Sequence, residues 1–298
     1  MTPKISIITP SFNQAQFIEE TILSVLNQDY KEIDYIVIDG GSTDDTVNIL
    51  RKHSDRLAFW VSEKDRGQAH ALNKGLAHAT GDLIAYLNSD DLYLPGAFQK
   101  VVTYFSEHPK CQWLCGDTIM FGEPPEPLRV VSADVPKSAG HALSWAYTAP
   151  QPGMFWKREI LEGGFAERWR YCFDHELYVR LLIKGFQCEH LPETIAAYRL
   201  HPASKTVAEG NLFDREFDAI AEIYEPQLSS SDRRWSVSTR YLRQSFAAGS
   251  SGKRIEGIRS LARAFLIHPS SVYHRPFWGC LRRVLFAGQS ELKSANTM

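Results

Sequence analysis

The feature that most constrains this chain is an alternation of short β-branched runs with helical patterns. Runs at residues 5–9, 34–39, 57–61 and 83–88 are interleaved with amphipathic stretches at 16–28, after Ser42, at 68–79 and at 96–108. A βαβα rhythm of this kind predicts an α/β fold with a mostly parallel sheet flanked by helices. Ligands of such sheets collect beyond the carboxyl ends of the strands. On this reading Thr9, Asp39, Asp65 and Asp90 stand at four such ends.

Further strands are expected at 112–117, 154–157 and 189–200, with a helix at 174–183 whose Leu177, Leu181 and Leu182 face inward. A proline-rich stretch at 122–136 reads as a surface connection. Beyond Val207 the pattern is helical, so the expected division is an α/β domain at 1–215 (halves of about 1–120 and 121–215) and a helical extension at 216–298, with the boundary between 205 and 230. There is no internal repeat.

With 298 residues, 44% of them hydrophobic, the chain can bury one large core. A net charge of −2 argues against nucleic acid as the main partner. The five cysteines (111, 115, 172, 188 and 280) form no CxxC pair and read as reduced thiols of a cytoplasmic protein. No signal peptide is recognised, and no run approaches the roughly 18 apolar residues of a membrane span.

Three acidic positions carry the chemistry. Asp39 ends YIVID and precedes Gly40, Gly41 and Ser42. It suits a grip on a nucleobase or ribose, while Ser42 or Asp44 equally suits a helix cap. Neither GxGxxG nor GxxxxGK[ST] occurs, which disfavours the two commonest nucleotide loops. Asn88, Ser89, Asp90 and Asp91 end the apolar run LIAYL, where a hard cation finds oxygen ligands; a solvated turn is the plainer alternative. Asp174 opens FDHELYVRLL, either as a helix cap or as a general base. His201 follows IAAYRL and by itself decides nothing.

Taken together, SIITPSFN, ETILSVLNQDY, VIDGGSTDDT, SEKDRGQAHALNKG, DLIAYLNSDDLY and YCFDHELYVRLL resemble the family 2 glycosyltransferases in order and spacing, over about residues 4–205. The resemblance implies a GT-A (Rossmann-like) fold and transfer of a sugar, with inversion, from a nucleotide-diphosphate donor (UDP-type) to a glycan or lipid-linked acceptor. It also implies a divalent cation, Mn or Mg. By similarity, Thr9, Pro10 and Phe12 line the nucleotide pocket, Asp39 meets the base, and Asp65 and Arg66 hold base, ribose or phosphate. Asn88 lies near the ribose. Asp90 is the metal carboxylate with Asp91 beside it, His201 a second metal or diphosphate contact, Asp174 the base, and Gln151 and Trp156 acceptor or sugar contacts. Three positions depart from the family pattern. Gly40 and His70 stand where many members have aspartate, and Asn88 opens the D-x-D position. Alternatives are a sugar-phosphate nucleotidyltransferase, whose glycine-rich loop TPSFNQAQ does not supply, or an inactive sugar-binding relative.

Residues 253–286 hold seven Lys or Arg against Glu256 alone, interleaved with apolar and aromatic residues. Such a segment either lies on the anionic inner face of a membrane or packs its helices on the catalytic domain with solvated arginines.

Overall fold

The first strand, β1 (Ile5–Ser11), is buried along its whole length, and Ile36, Val37 and Ile38 of β2 (Ile33–Asp39) are fully buried as well. Burial of successive residues, rather than of alternate ones, is what a sheet covered by helices on both faces requires. The computed structural model describes residues 2–122, 129–144, 147–202, 204, 210–273 and 275–286. The middle of the proline-rich connection (123–128), the start of the expected helical tail (205–209) and its end (287–298) lie outside the described residues.

The chain divides into two compact units, Met1–Pro136 with Thr148–Glu216, and Lys137–Tyr147 with Phe217–Met298. The first holds a nine-stranded sheet in the order β3-β2-β1-β4-β8-β6-β9-β5, with β7 paired to β6. Its strands are β1, β2, β3 (Phe59–Ser62), β4 (Leu83–Tyr86), β5 (Leu92–Tyr93), β6 (Trp113–Gly122), β7 (Arg129–Val131), β8 (Met154–Lys157) and β9 (Cys188–Leu200). Strands β1, β2, β3, β4, β6 and β9 run one way; β5, β7 and β8 oppose them. The sheet is therefore mostly parallel, as the sequence pattern predicts.

Strand order departs from β1 in two directions, to β2 on one side and to β4 on the other. That reversal opens a crevice at the carboxyl ends of β1 and β4. Helices α1 (Ile18–Leu26), α2 (Thr46–Lys52), α3 (Gln68–His78) and α4 (Ala97–Glu107) follow successive strands, and α6 (Phe173–Ile183) precedes β9. Gly75 allows α3 to approach β1: a Cβ there would lie 2.4 Å from Ile8 Cγ2.

The second unit contains α5 (Ala139–Ala142), α8 (Ser230–Ser250), α9 (Arg254–Ile267) and α10 (Arg275–Phe286), while α7 (Gly210–Tyr224) begins in the first unit and ends in the second. Leu242, Leu261, Ala264, Phe277 and Cys280 form the core of the last three helices. Small residues bring them close. Ser238 and Ser245 of α8 donate to the carbonyls of Ala264 (2.9 Å) and Gly257 (2.8 Å). A Cβ at Gly257 would meet Val284 Cγ2 at 2.6 Å. Among the described residues, no helix is long and apolar enough to cross a membrane.

Candidate active site

The crevice of the first unit is a cleft of about 1130 Å³. Pro10, Phe12, Asp65, Arg66, Asn88, Asp90, Gln151 and Asp174 all line it, so eight of the positions singled out in the sequence meet in one place. Residues more than 160 positions apart are brought together because the parallel strands β1, β2, β3 and β4 present their carboxyl ends, and antiparallel β8 the segment before its amino end, to the same side, where the first turn of α6 also lies.

On one wall the turn after β4 carries Asn88, Ser89, Asp90 and Asp91. Asn88 Oδ1 accepts from Gln68 Nε2 at 2.7 Å, and its amide nitrogen reaches Gln151 Oε1 at 3.3 Å and Asp91 Oδ2 at 3.2 Å. Gln151 in turn donates to the carbonyl of Tyr86 at 2.8 Å. The Asp90 Oδ2 to His201 Nε2 separation is 3.0 Å. These two oxygen and nitrogen donors are the nearest approach to a cation site in the cleft; among the described residues no three acidic, His or Cys side chains gather as a complete metal cage. Magnesium and manganese do not need one, because substrate phosphates and water complete their shell.

Asp91 turns the other way. It is fully buried, accepting from the Arg199 backbone N–H at 2.9 Å, and its backbone carbonyl accepts from Thr21 Oγ1 at 2.9 Å. Burial and then the neighbouring Asp90 carboxylate push its pKa well above the usual carboxylate value. Arg199 pins this turn from below: its Nε donates to the Asp90 carbonyl at 2.9 Å, its Nη2 pairs with Glu20 at 2.5 Å, and its guanidinium lies 4.8 Å from the Phe17 ring and 4.5 Å from the Phe121 ring.

On the other wall Asp174 occupies the first turn of α6, where a carboxylate is favoured by the helix dipole, and Oδ1 accepts from the His175 N–H at 2.7 Å. The segment before it is held by Glu216, whose carboxylate accepts from the backbone N–H groups of Arg170 (2.8 Å), Tyr171 (2.8 Å) and Cys172 (2.9 Å). Tyr86 forms part of the floor. Burial, followed by the charges of Asp174 and Asp91, raises its phenol well above the ordinary pKa, so it stays a neutral hydrogen-bonding group.

At the rim, Arg66 Nη2 meets Glu167 Oε2 at 2.6 Å, and Asn73 donates to Glu167 Oε1 at 3.2 Å. Partial burial acts to raise the Glu167 pKa, but the bonds from Arg66 and Asn73 outweigh it and hold the carboxylate below its usual range. Asp65 Oδ1 accepts from the Gly67 N–H at 2.8 Å, and a Cβ on Gly40 would lie 2.7 Å from Asp65 Oδ2. Glycine at 40 is thus what lets Asp65 enter the space beside β2.

Five singled-out side chains stand behind the cleft rather than on it, His201 among them: it is buried, backs Asp90 and lies against the Phe17 ring at 4.7 Å. Thr9 is fully buried with its hydroxyl 3.1 Å from the Tyr35 phenol. Asp39 is fully buried, its carboxylate accepting from Gly41 N–H (3.1 Å), Ser42 N–H (2.8 Å), Ser42 Oγ (2.5 Å) and Ser62 Oγ (2.6 Å). It shapes the turn, while Asp44 accepts from the Thr46 N–H at 3.1 Å to start α2. Trp156 lies in the core, its ring stacked with Tyr86 and Tyr178. Its strand, β8, runs between β4 and β6, which turns that side chain inward. Asp91 is the fifth.

Comparisons with known proteins identify the family and the fold. The family model "Glycosyl transferase family 2" matches residues 6–136. The putative teichuronic acid biosynthesis glycosyltransferase TuaG of Bacillus subtilis is 30% identical over 210 residues, which cover 66% of this chain and 79% of that protein. The chain belongs to the family 2 glycosyltransferases. Across the first curated relatives that it matches, this family 2 chain spans between 35% and 66% of their length. Two solved structures share its GT-A fold. S. aureus TarS 1–349, in complex with UDP-GlcNAc, superposes with a TM-score of 0.64 at 16% identity, covering 90% of this chain and 82% of that one. The mannosyltransferase PcManGT of Pyrobaculum calidifontis, in complex with GDP-Man and Mn2+, gives 0.61 at 19% identity, covering 98% and 88%.

Sequence reasoning missed the supports of this family 2 site: Gln68, Asn73, Arg199 and Glu216. Arg199 lies within the YRLHPAS stretch but carries no local signal, since its partners are up to 179 positions away. Glu216 falls in an ordinary helical pattern; only the folded chain brings it to residues 170–172.

Proposed function

We propose that this family 2 chain transfers a sugar from a nucleotide diphosphate to an acceptor hydroxyl, with inversion at the anomeric carbon. The observation that carries the reading is the meeting of Asp90, backed by His201 at 3.0 Å, with Asp174 in a single cleft at the carboxyl ends of the parallel strands. Asp90 and His201 would hold Mn or Mg together with the donor diphosphate. The bound cation would supply Lewis-acid stabilisation of the charge that builds on the leaving nucleotide. Asp65 and Asn88, with Pro10 and Phe12 on the opposite lip, would seat the nucleoside. Arg66 would exchange its Glu167 partner for phosphate.

Asp174 would take the proton from the acceptor hydroxyl as its oxygen attacks the anomeric carbon. The bond to the diphosphate breaks in the same step, and its electron pair leaves with the nucleotide. Positioning a base in this way is worth typically about two to four powers of ten in rate. UDP-GlcNAc in TarS and GDP-Man with Mn2+ in PcManGT support a nucleotide-sugar donor and a divalent cation; the motif resemblance is what favours UDP as the nucleotide. The teichuronic acid biosynthesis printed for TuaG supports a glycan acceptor, and the GalNAc(5)-diNAcBac-PP-undecaprenol acceptor of a Campylobacter jejuni glucosyltransferase, 35% identical over 109 residues, supports a lipid-linked one.

The test is a panel of nucleotide sugars with Mn or Mg, read by nucleotide release, on wild type, Asp174→Asn and Asp90→Ala. Asp174→Asn is expected to bind product nucleotide as wild type does, by titration calorimetry, and to lose transfer by about two to four powers of ten. Asp90→Ala is expected to lose the metal-dependent part of nucleotide binding. Wild-type turnover by Asp174→Asn would overturn the assignment of the base.

A further inference from the structure

Helix α9 is packed on one face and bare on the opposite one. Gly257, Leu261 and Ala264 are buried against neighbouring helices. Ile255, Ile258, Phe265 and Leu266 are 68%, 47%, 43% and 75% exposed. With the exposed Ala262, their spacing (255, 258, 262, 265, 266) is that of a single helical stripe. A soluble helix places polar residues on that side; here the polar groups on its flank are Arg259 and Arg263, both exposed, with Glu256 next to them paired to Lys253 at 3.6 Å. Helix α10 repeats the arrangement, with Trp278 (58%) and Leu285 (41%) exposed on the same face as Arg282.

We propose that the outer face of α9 docks on an anionic phospholipid bilayer, with Ile255, Ile258, Phe265 and Leu266 entering the headgroup boundary and Arg259 and Arg263 meeting lipid phosphates. Charge decides the occupant. Residues 253–286 hold seven of the Lys and Arg residues against one Glu, although the chain as a whole carries −2, so the basic charge is gathered where the apolar stripe is. An anionic surface complements both features. A second copy of this chain in a two-fold contact would set the same arginines against each other. The docking is separate from the transfer reaction, so neither stands or falls with the other.

The test is flotation of the full chain with vesicles of phosphatidylglycerol and phosphatidylcholine, and with phosphatidylcholine alone, beside analytical ultracentrifugation without lipid. Wild type is expected to float with the anionic vesicles. Ile255→Glu/Leu266→Glu is expected to cut the bound fraction at least about tenfold, since it removes two of the inserting side chains. Arg259→Glu/Arg263→Glu is expected to remove the preference for phosphatidylglycerol. Both variants should keep wild-type nucleotide release, and melting temperatures close to wild type, because all four side chains are solvent-exposed and the guanidinium of Arg263 meets the Tyr241 ring only at 5.7 Å. If the Glu pair lowers the melting temperature, Ile255→Gln/Leu266→Gln reads the same partition. Absence of wild-type flotation, or equal flotation of wild type and the apolar-face variants, overturns the proposal. So does a wild-type dimer that the Ile255/Leu266 variants dissociate while neither form floats.

Discussion

Gly40 stands where the family resemblance leads one to expect aspartate, and its neighbourhood accounts for the glycine. Asp65 Oδ2 occupies the place of a Cβ at 40, at 2.7 Å, and Asp65 Oδ1 is tied to the Gly67 N–H at 2.8 Å. A carboxylate on residue 40 would meet another carboxylate as well as the steric conflict, so this chain offers one acid where two would repel. Gly40→Ala separates the two effects. Gly40 is not in the left-handed region, so alanine suits its backbone, and the atom that must yield is the end of a side chain. The expected result is a nearly unchanged melting temperature with nucleotide affinity reduced by about tenfold, the consequence of displacing one polar contact worth about 1 to 1.5 kcal/mol. Titration calorimetry beside a thermal melt checks this; a large fall in stability with intact affinity would mean that Asp65 serves the fold and not the ligand.

At the scale of elements, the helix α3 carries Gln68 to the cleft and depends on Gly75 to lie close to β1. Alanine at 75 gains up to about 1 kcal/mol of helix propensity, but forces a methyl to 2.4 Å from Ile8 Cγ2 in a fully buried site, and overpacking costs about 1 to 3 kcal/mol. Overpacking is expected to win, lowering the urea midpoint, whereas in an Ile8→Ala background the same Gly75→Ala change should cost little, because the Cγ2 methyl that it strikes is gone. Additive effects of the two substitutions would contradict the contact. Elements of this kind were largely legible in the sequence: the runs at 5–9, 34–39 and 83–88 and the pattern at 68–79 correspond to β1, β2, β4 and α3. Short pieces escaped. Strands β5 and β7 span only two and three residues, too few to display a period, and exist because β9 and β6 offer them a partner. The cleft residues were legible because they end buried runs. Which face each side chain takes was not, since Asp90 lines the cleft and Asp91 turns under β9 only once Arg199 is in place.

At the scale of the whole chain, the two units are not consecutive in sequence, and residues 137–147 belong with the C-terminal helices. The reason is local to α5 and α8. Ser138 Oγ donates to Asp232 Oδ1 at 2.7 Å, Ser236 Oγ donates to the Leu143 carbonyl at 3.4 Å, and a Cβ on Gly140 would strike Asp232 Cβ at 2.5 Å, so α5 has a fitted seat on α8. Ala139, Ala142 and Leu143 are buried there. A fragment ending at Glu216 retains the whole nine-stranded sheet but deprives those side chains and the Ser138 hydroxyl of their partners. Each buried apolar side chain uncovered forfeits on the order of 1 kcal/mol or more. The fragment 1–216 is therefore expected to melt below the full chain and to bind a hydrophobic dye, while product nucleotide, whose proposed contacts lie in the first unit, still raises its melting temperature. Ser138→Ala with Gly140→Leu in the full chain should reproduce part of the dye binding by unseating α5 alone. A fragment that melts like the full chain without taking up dye would show that α5 needs no seat on α8, and the division of the chain would then follow sequence order after all.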